Sequence, residues 1–427
     1  MAFAKLLVLR TIVGMGLLAA VVMEASSGPG RTLQQCYSLA LERSTSQQIS
    51  MEMVKQAESR VEQNRAPFAP SFDFTSTVVR QEVPVGGFAR LLVNQSQTTT
   101  ALTGRVNLFR GFRDFVTLRQ SRLDAEAARE AQNQAKLQLF DDTAQAFYTV
   151  IAYEKDVAHY LEELSQNRLR KEDLEGQHRV VQAREADLVL IDTAIANVEA
   201  KVEGALGQAA AAREVLAFLT GEPVGVVLLD EEKYPESVEP VEVWVTALGS
   251  RPDVKQARKQ DEAAELGIIQ ARSGHFPSVD LVANRYFARP GLYSGVDWDI
   301  QLSFSLPIYS GGLTRSQVVE AVSVKEQKSL AVTLAETSAE RDVKAAYKGL
   351  LADQAQTAKL AVANEKAELS YSLLLQGNKV GNATNVDVLT VLAQRYQILR
   401  AWERARVNVK SGFARLQVLS GLRQEGK

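Results

Sequence analysis

The sequence predicts an α+β membrane protein: mostly long α-helices in coiled-coil hairpins, with four transmembrane β-strands per chain. Three observations carry that prediction. An alternating strand runs straight into a long helix, the helical tracts are long and free of proline, and the whole pattern recurs about 200 residues further on.

The first observation is Trp298 to Gly312. Trp298, Ile300, Leu302, Phe304 and Leu306 are apolar, and Asp299, Gln301, Ser303 and Ser305 between them are polar. About nine residues of such alternation suffice for a tilted strand to cross a bilayer. The apolar set is the expected lipid face, and the polar set the expected wet face. Pro307 removes a ladder donor, Gly311 and Gly312 free the backbone to turn, and a helical tract starts at Leu313.

The totals agree with folded protein. The 427 residues are 46% hydrophobic and 23% charged, with a net charge of −2 that offers no electrostatic case for nucleic acid. Lys5 and Arg10 precede an apolar run, Thr11 to Met23, and small residues follow at Ala25, Ser26 and Ser27. That order describes a signal peptide over residues 1–27. No other stretch approaches ~20 consecutive apolar residues, so insertion into a membrane must use strands. Cys36, the single cysteine, excludes an internal disulfide and any Cys-based metal site. His159, His178 and His275 are too dispersed to nucleate a zinc site. Neither a catalytic constellation nor a phosphate-binding glycine loop is present, so no enzyme activity and no cofactor are expected.

In chain order, Thr32 to Arg65 reads as one helix, ended by Pro67 and Pro70. Ser71–Val79 alternates as a strand, a loop follows over Gln81–Ser96, and Leu102, Val106 and Leu108 alternate with Thr103, Arg105 and Asn107 in a second strand. Gly111 marks the switch to a helix reaching about Glu175. Its expected apolar seam includes Phe140, Ala144, Phe147, Ile151, Ala158 and Leu161. A return helix covers Ala186–Leu219, and Val226–Leu229 reads as a short strand.

The pattern then begins again. Arg65 to Asp73 aligns with Arg272 to Asp280 at an offset of 207, while Leu108 to Gly111 aligns with Ile308 to Gly311, and Leu219 to Gly221 with Leu419 to Gly421, at 200. Residues 28–224 and 225–427 are therefore read as two copies of helix, strand pair and helical hairpin. A closed membrane barrel needs at least about eight strands, so four per chain imply one shared among subunits, whose number the counting leaves open.

With these motifs in order the chain resembles the TolC-like outer membrane efflux proteins. The resemblance rests on Ala66-Pro67-Phe68-Ala69-Pro70-Ser71, on Gly274 to Ser278, on Pro307 to Gly312, on Arg251-Pro252-Asp253, and on Val380-Gly381 followed by Asp387-Val388-Leu389. It implies a homotrimer whose twelve strands close one β-barrel in the outer membrane, extended by an α-helical barrel into the periplasm. It further implies a periplasmic adaptor and an inner-membrane transporter of the ABC or RND type. The cargo, small molecules or unfolded polypeptides, is left open between efflux and type I secretion.

The resemblance also places hairpin tips that face the adaptor at Val180, Val181, Ala183, Val380, Gly381 and Ala383. Asp187 and Asp387, related by the 200-residue offset, would ring the periplasmic aperture; as lone residues they also suit ordinary helix starts. Thr390, Asn378 and Ala383 depart from the acidic, aromatic and basic residues that the family pattern has there. A periplasmic coiled-coil adaptor and a structural helical-hairpin protein are the competing readings; neither needs duplicated alternating strand pairs.

Overall fold

The computed structural model describes residues 30–82, 95–179, 185–223, 225–232, 234 and 237–422. The signal segment and Val180, Val181 and Ala183 lie outside the described residues, as does most of the Gln81–Ser96 loop. Helices α1 (Leu33–Arg43) and α2 (Thr45–Arg65) precede strands β1 (Ser71–Arg80) and β2 (Ser96–Arg110). Helices α3 (Arg113–Arg179) and α4 (Glu185–Thr220) form the first hairpin. After the short α5 (Val241–Thr246) come α6 (Pro252–Arg272), β3 (Ser278–Ala288), β4 (Trp298–Ser305), α7 (Leu313–Lys379) and α8 (Asn385–Ser420). Both α3 and α7 hold 67 residues, and both α4 and α8 hold 36.

Two compact units divide the chain: residues 49–133 with 252–337, and residues 1–48, 134–251 and 338–427. Each takes segments from both halves of the sequence.

The first unit holds one antiparallel sheet in the order β1-β2-β3-β4. Directly paired residues share a face. One face therefore carries Phe72, Phe74, Leu102, Leu281, Ala283, Ile300, Leu302 and Phe304, as the pairs Phe74↔Leu102, Ala283↔Ile300 and Leu281↔Leu302 require. The Phe72 ring lies so near Gly104 that a Cβ there would sit 3.1 Å from it. The opposite face is polar and linked across strands: Thr103 Oγ1 donates to Asn284 Oδ1 and Asn284 Nδ2 to Asp299 Oδ1, both at 2.8 Å. Period-2 alternation thus separates the two faces.

That sheet corrects the expected closed, transmembrane β-barrel. β1 and β4 are its two edges, each bonded on one side only, and no pairing joins them among the described residues. The strands form an open four-stranded sheet. Separately, no described helix is long and apolar enough to cross a membrane.

Strand passes to helix at tight glycine turns. Gly111, Gly311 and Gly312 have φ of 61°, 62° and 84°, and Phe112 joins them at 65°. At Gly111 the space is closed as well: a Cβ would lie 2.7 Å from both Phe276 Cβ and the Ser273 carbonyl oxygen.

The second unit is mainly helical among the described residues. Leu33, Tyr37, Phe140, Phe147, Val150, Leu216 and Val418 form its largest cluster, with Tyr37 edge-on to Phe140 at 5.1 Å. Trp244 packs with Val343, Leu350, Val409 and Leu416 in another, its Nε1 donating to the Glu239 carbonyl at 3.2 Å. The expected Val226–Leu229 strand reduces to one parallel bridge, Arg31 to Leu228.

Two more expectations are corrected. The helix read as continuous over 32–65 breaks at Ser44, whose ψ of 117° is extended. Ser44 N–H donates to Ala40 O and its carbonyl accepts from Gln48, so it ends one helix and starts the next. The apolar seam of α3 is interrupted past Ile151: Ala158 and Leu161 are exposed, and Asp156, Glu163, Asn167 and Arg170 are buried alongside Leu164 and Leu174.

Gly111→Ala is expected to lower stability more than Gly311→Ala, because both force a left-handed residue but only Gly111 meets backbone. The added strain is about 1–3 kcal/mol. Thermal loss of helical circular dichroism checks it, and equal effects would contradict the close approach at Gly111.

Candidate functional site

The best-defined site is the end of the α7–α8 hairpin, within the helical unit. Lys379 closes α7 and Asn385 opens α8. Asn382 N–H donates to Gly377 O at 2.8 Å, and Gly381 N–H donates to Asn378 O at 3.1 Å. With Gly381 at φ 79°, this is a Schellman ending, in which a left-handed glycine satisfies the last carbonyls of the helix. Val380 stands at its apex, 71% exposed.

Thr384 caps the next helix. Its Oγ1 accepts from Asp387 N–H at 3.2 Å, and its own N–H donates to Asp387 Oδ2 at 2.9 Å. The Thr384 hydroxyl also donates to Oδ2 at 2.6 Å. These bonds stabilise the carboxylate, so the Thr384 hydroxyl, then its backbone N–H, hold the Asp387 carboxyl below the usual aspartate range. Asp187 occupies the same place in the first turn of α4. Asn385 Nδ2 donates to Asp187 Oδ2 at 3.4 Å, which brings Asp187 beside a residue two positions before Asp387.

Arg170 of α3 completes the cluster. The guanidinium is buried and donates to the side-chain oxygens of both Asn378 and Asn385. Asn378 Nδ2 in turn donates to the Ala383 carbonyl at 2.9 Å. Arg170 and Asn385 escaped the sequence reading because both look like ordinary helix-surface residues. The missed signal was spacing: Asp156, Glu163 and Arg170 recur every seven residues.

The other candidates fall elsewhere. Trp298, Ile300, Leu302, Phe304 and Leu306 lie on and just beyond β4, each between 49% and 67% exposed. Gly111, Pro307, Gly311 and Gly312 sit at the strand-to-helix turns. Among the described residues, no group of three or more His, Cys, Asp or Glu could hold a metal ion.

Fold and site define a protein of paired helical hairpins that carries a sheet with one exposed apolar face. Residues 243–422 match the family model described as outer membrane efflux protein. The outer membrane protein TolC of Escherichia coli K12 is 28% identical over 298 residues, 62% of this chain and 58% of TolC. The outer membrane efflux protein BepC of Brucella suis is 24% identical over 296 residues, 66% of this chain and 63% of BepC. The chain thus spans about three-fifths of the length of these curated relatives. Among solved structures, the outer membrane protein VceC of Vibrio cholerae superposes with a TM-score of 0.81 at 19% identity, over 91% of this chain and 96% of VceC. CusC does so with 0.81 at 16% identity, over 93% and 95%. At family level the chain is homologous to the TolC-like outer membrane efflux proteins.

The capping geometry makes a pH-dependent prediction. A carboxyl held below its usual range contributes stability that is present at neutral pH and is lost as pH falls through that range and below. Asp387→Asn should therefore melt earlier than wild type at neutral pH and together with it in strong acid. Thr384→Ala should cost about 1 kcal/mol through the lost cap. Thermal melts at the two pH values check both, and an Asp387→Asn gap that persists in acid would contradict the assigned bonds.

Proposed function

We propose that the chain is the outer-membrane duct of a tripartite export system, working as a homotrimer. A periplasmic adaptor and an inner-membrane transporter of the ABC or RND type would deliver small molecules or unfolded polypeptides to it. The observation that carries the reading is the sheet: one face is apolar and exposed while the other is polar and cross-linked, in a chain otherwise built of long hairpins. Homology to outer membrane efflux proteins supports the outer-membrane location. Exposed apolar residues along α7, such as Leu330 and Leu334, favour covering by further copies.

The chain is taken as a signal peptide, residues 1–27, and two structural copies, 28–224 and 225–427. Trp298, Ile300, Leu302, Phe304 and Leu306 are assigned to lipid. Val380, Gly381 and Ala383, together with Val180, Val181 and Ala183, are assigned to the adaptor. Asp187 and Asp387 are assigned to the periplasmic constriction. Three copies would bring up to six carboxylates together there, which repels anions and holds multivalent cations. The helix-capping bonds leave this role open to Asp387, since they keep it ionised.

Planar-bilayer conductance tests the constriction. Asp187→Ala/Asp387→Ala should lose cation preference and block by trivalent cations; unchanged preference and block would reduce both residues to helix starts.

A lipid-facing Leu302→Arg should cost about 2–4 kcal/mol and deplete the outer-membrane fraction. Ser303→Arg, on the polar face, should leave that fraction intact. Equal loss from both variants would contradict the assigned faces.

A further inference from the structure

Between Ile151 and Leu174 the buried face of α3 changes character. Asp156, Glu163, Leu164, Asn167 and Arg170 are the buried residues there, and only one of them is apolar. Asp156, Glu163 and Arg170, spaced by seven, share one position of a heptad. Each is met from α8. Arg404 pairs with Asp156, Arg400 Nη1 donates to Glu163 Oε2 at 2.7 Å, and Asn385 accepts from Arg170. The Arg400 guanidinium also lies 3.9 Å from the Tyr160 ring centroid. Lys155 and Glu403 flank the pairs at 2.8 Å. The Asp156 and Glu163 side chains are each 2% exposed, so neither can exchange its partner for water in place.

Such pairs are a poor source of stability compared with apolar packing, because the carboxylates lose their hydration and Arg400 loses its own, while Arg404 stays half exposed. What they supply is a penalty for misalignment. An apolar heptad seam that slips by seven residues, about 10 Å of rise, again sets apolar against apolar. Slipped here, Asp156 or Glu163 would remain buried without an arginine. The seam can close in one alignment.

We infer that this ionic seam fixes the axial register of α8 against α3, and with it the level at which the α7–α8 turn meets the first hairpin. The inference stands on the burial and pairing of these side chains and is independent of what passes through the protein.

The test measures distances by double electron–electron resonance between spin labels at Leu161→Cys and Gln397→Cys. The full chain is used in detergent with Cys36→Ala, labelled copies being diluted among unlabelled ones. Wild type should give one narrow distance. The apolar variant Asp156→Leu/Glu163→Leu/Arg400→Leu/Arg404→Leu should stay helical yet give two or more distances. Arg400→Glu/Arg404→Glu should broaden or shift the distance, and adding Asp156→Arg/Glu163→Arg should restore the single one. A folded apolar variant that keeps the single native distance would overturn the inference. Failure of the full charge reversal to restore it would do so as well, whether or not the apolar variant folds.

Discussion

A helix of 67 residues has no globular core of its own and is held only by what runs beside it along its whole length. That constraint shapes the helical unit. Where α3 passes Phe140, Phe147 and Val150 it buries large apolar side chains against α1, α4 and α8. Further along, the same face holds Asp156, Glu163 and Arg170, each paired with a group on α8. The first arrangement supplies burial, and the second supplies alignment. Beyond them Leu174, Ile191 and Leu389 return to apolar packing just before the hairpin end.

The sheet answers a different constraint. A strand has two faces, and here the four strands sort their residues so that aromatic and branched side chains gather on one of them. The polar face is stitched sideways through Thr103, Asn284 and Asp299, which leaves those groups satisfied within the chain. Among the described residues the apolar face has no such internal partner. An exposed, contiguous apolar surface of this kind calls for a non-aqueous neighbour, which is why the export-duct reading gives it lipid.

Much of this was legible in the residues. The return helix read as Ala186–Leu219 is Glu185–Thr220, because glycine positions such as Gly221 and Gly421 adopt left-handed backbone where helices end. Strand alternation was equally plain, since period two leaves a direct trace in composition. What escaped depended on partners distant in sequence. Alternation reports the faces of a strand but says nothing of its edges, so the openness of the sheet could not be read. An Arg at position 170 looks solvated until α8 is placed beside it. Ser44 could as well sit inside a helix as break one, and Phe112 gives no hint of its left-handed backbone.

The central claim is that the molecule is a multimeric outer-membrane protein and not a free helical-hairpin protein of the periplasm. Membrane fractionation of cells making the full chain, followed by native mass measurement of the detergent-extracted species, tests it most directly. The account predicts recovery in the outer membrane as an assembly of three copies. A soluble periplasmic monomer would contradict it.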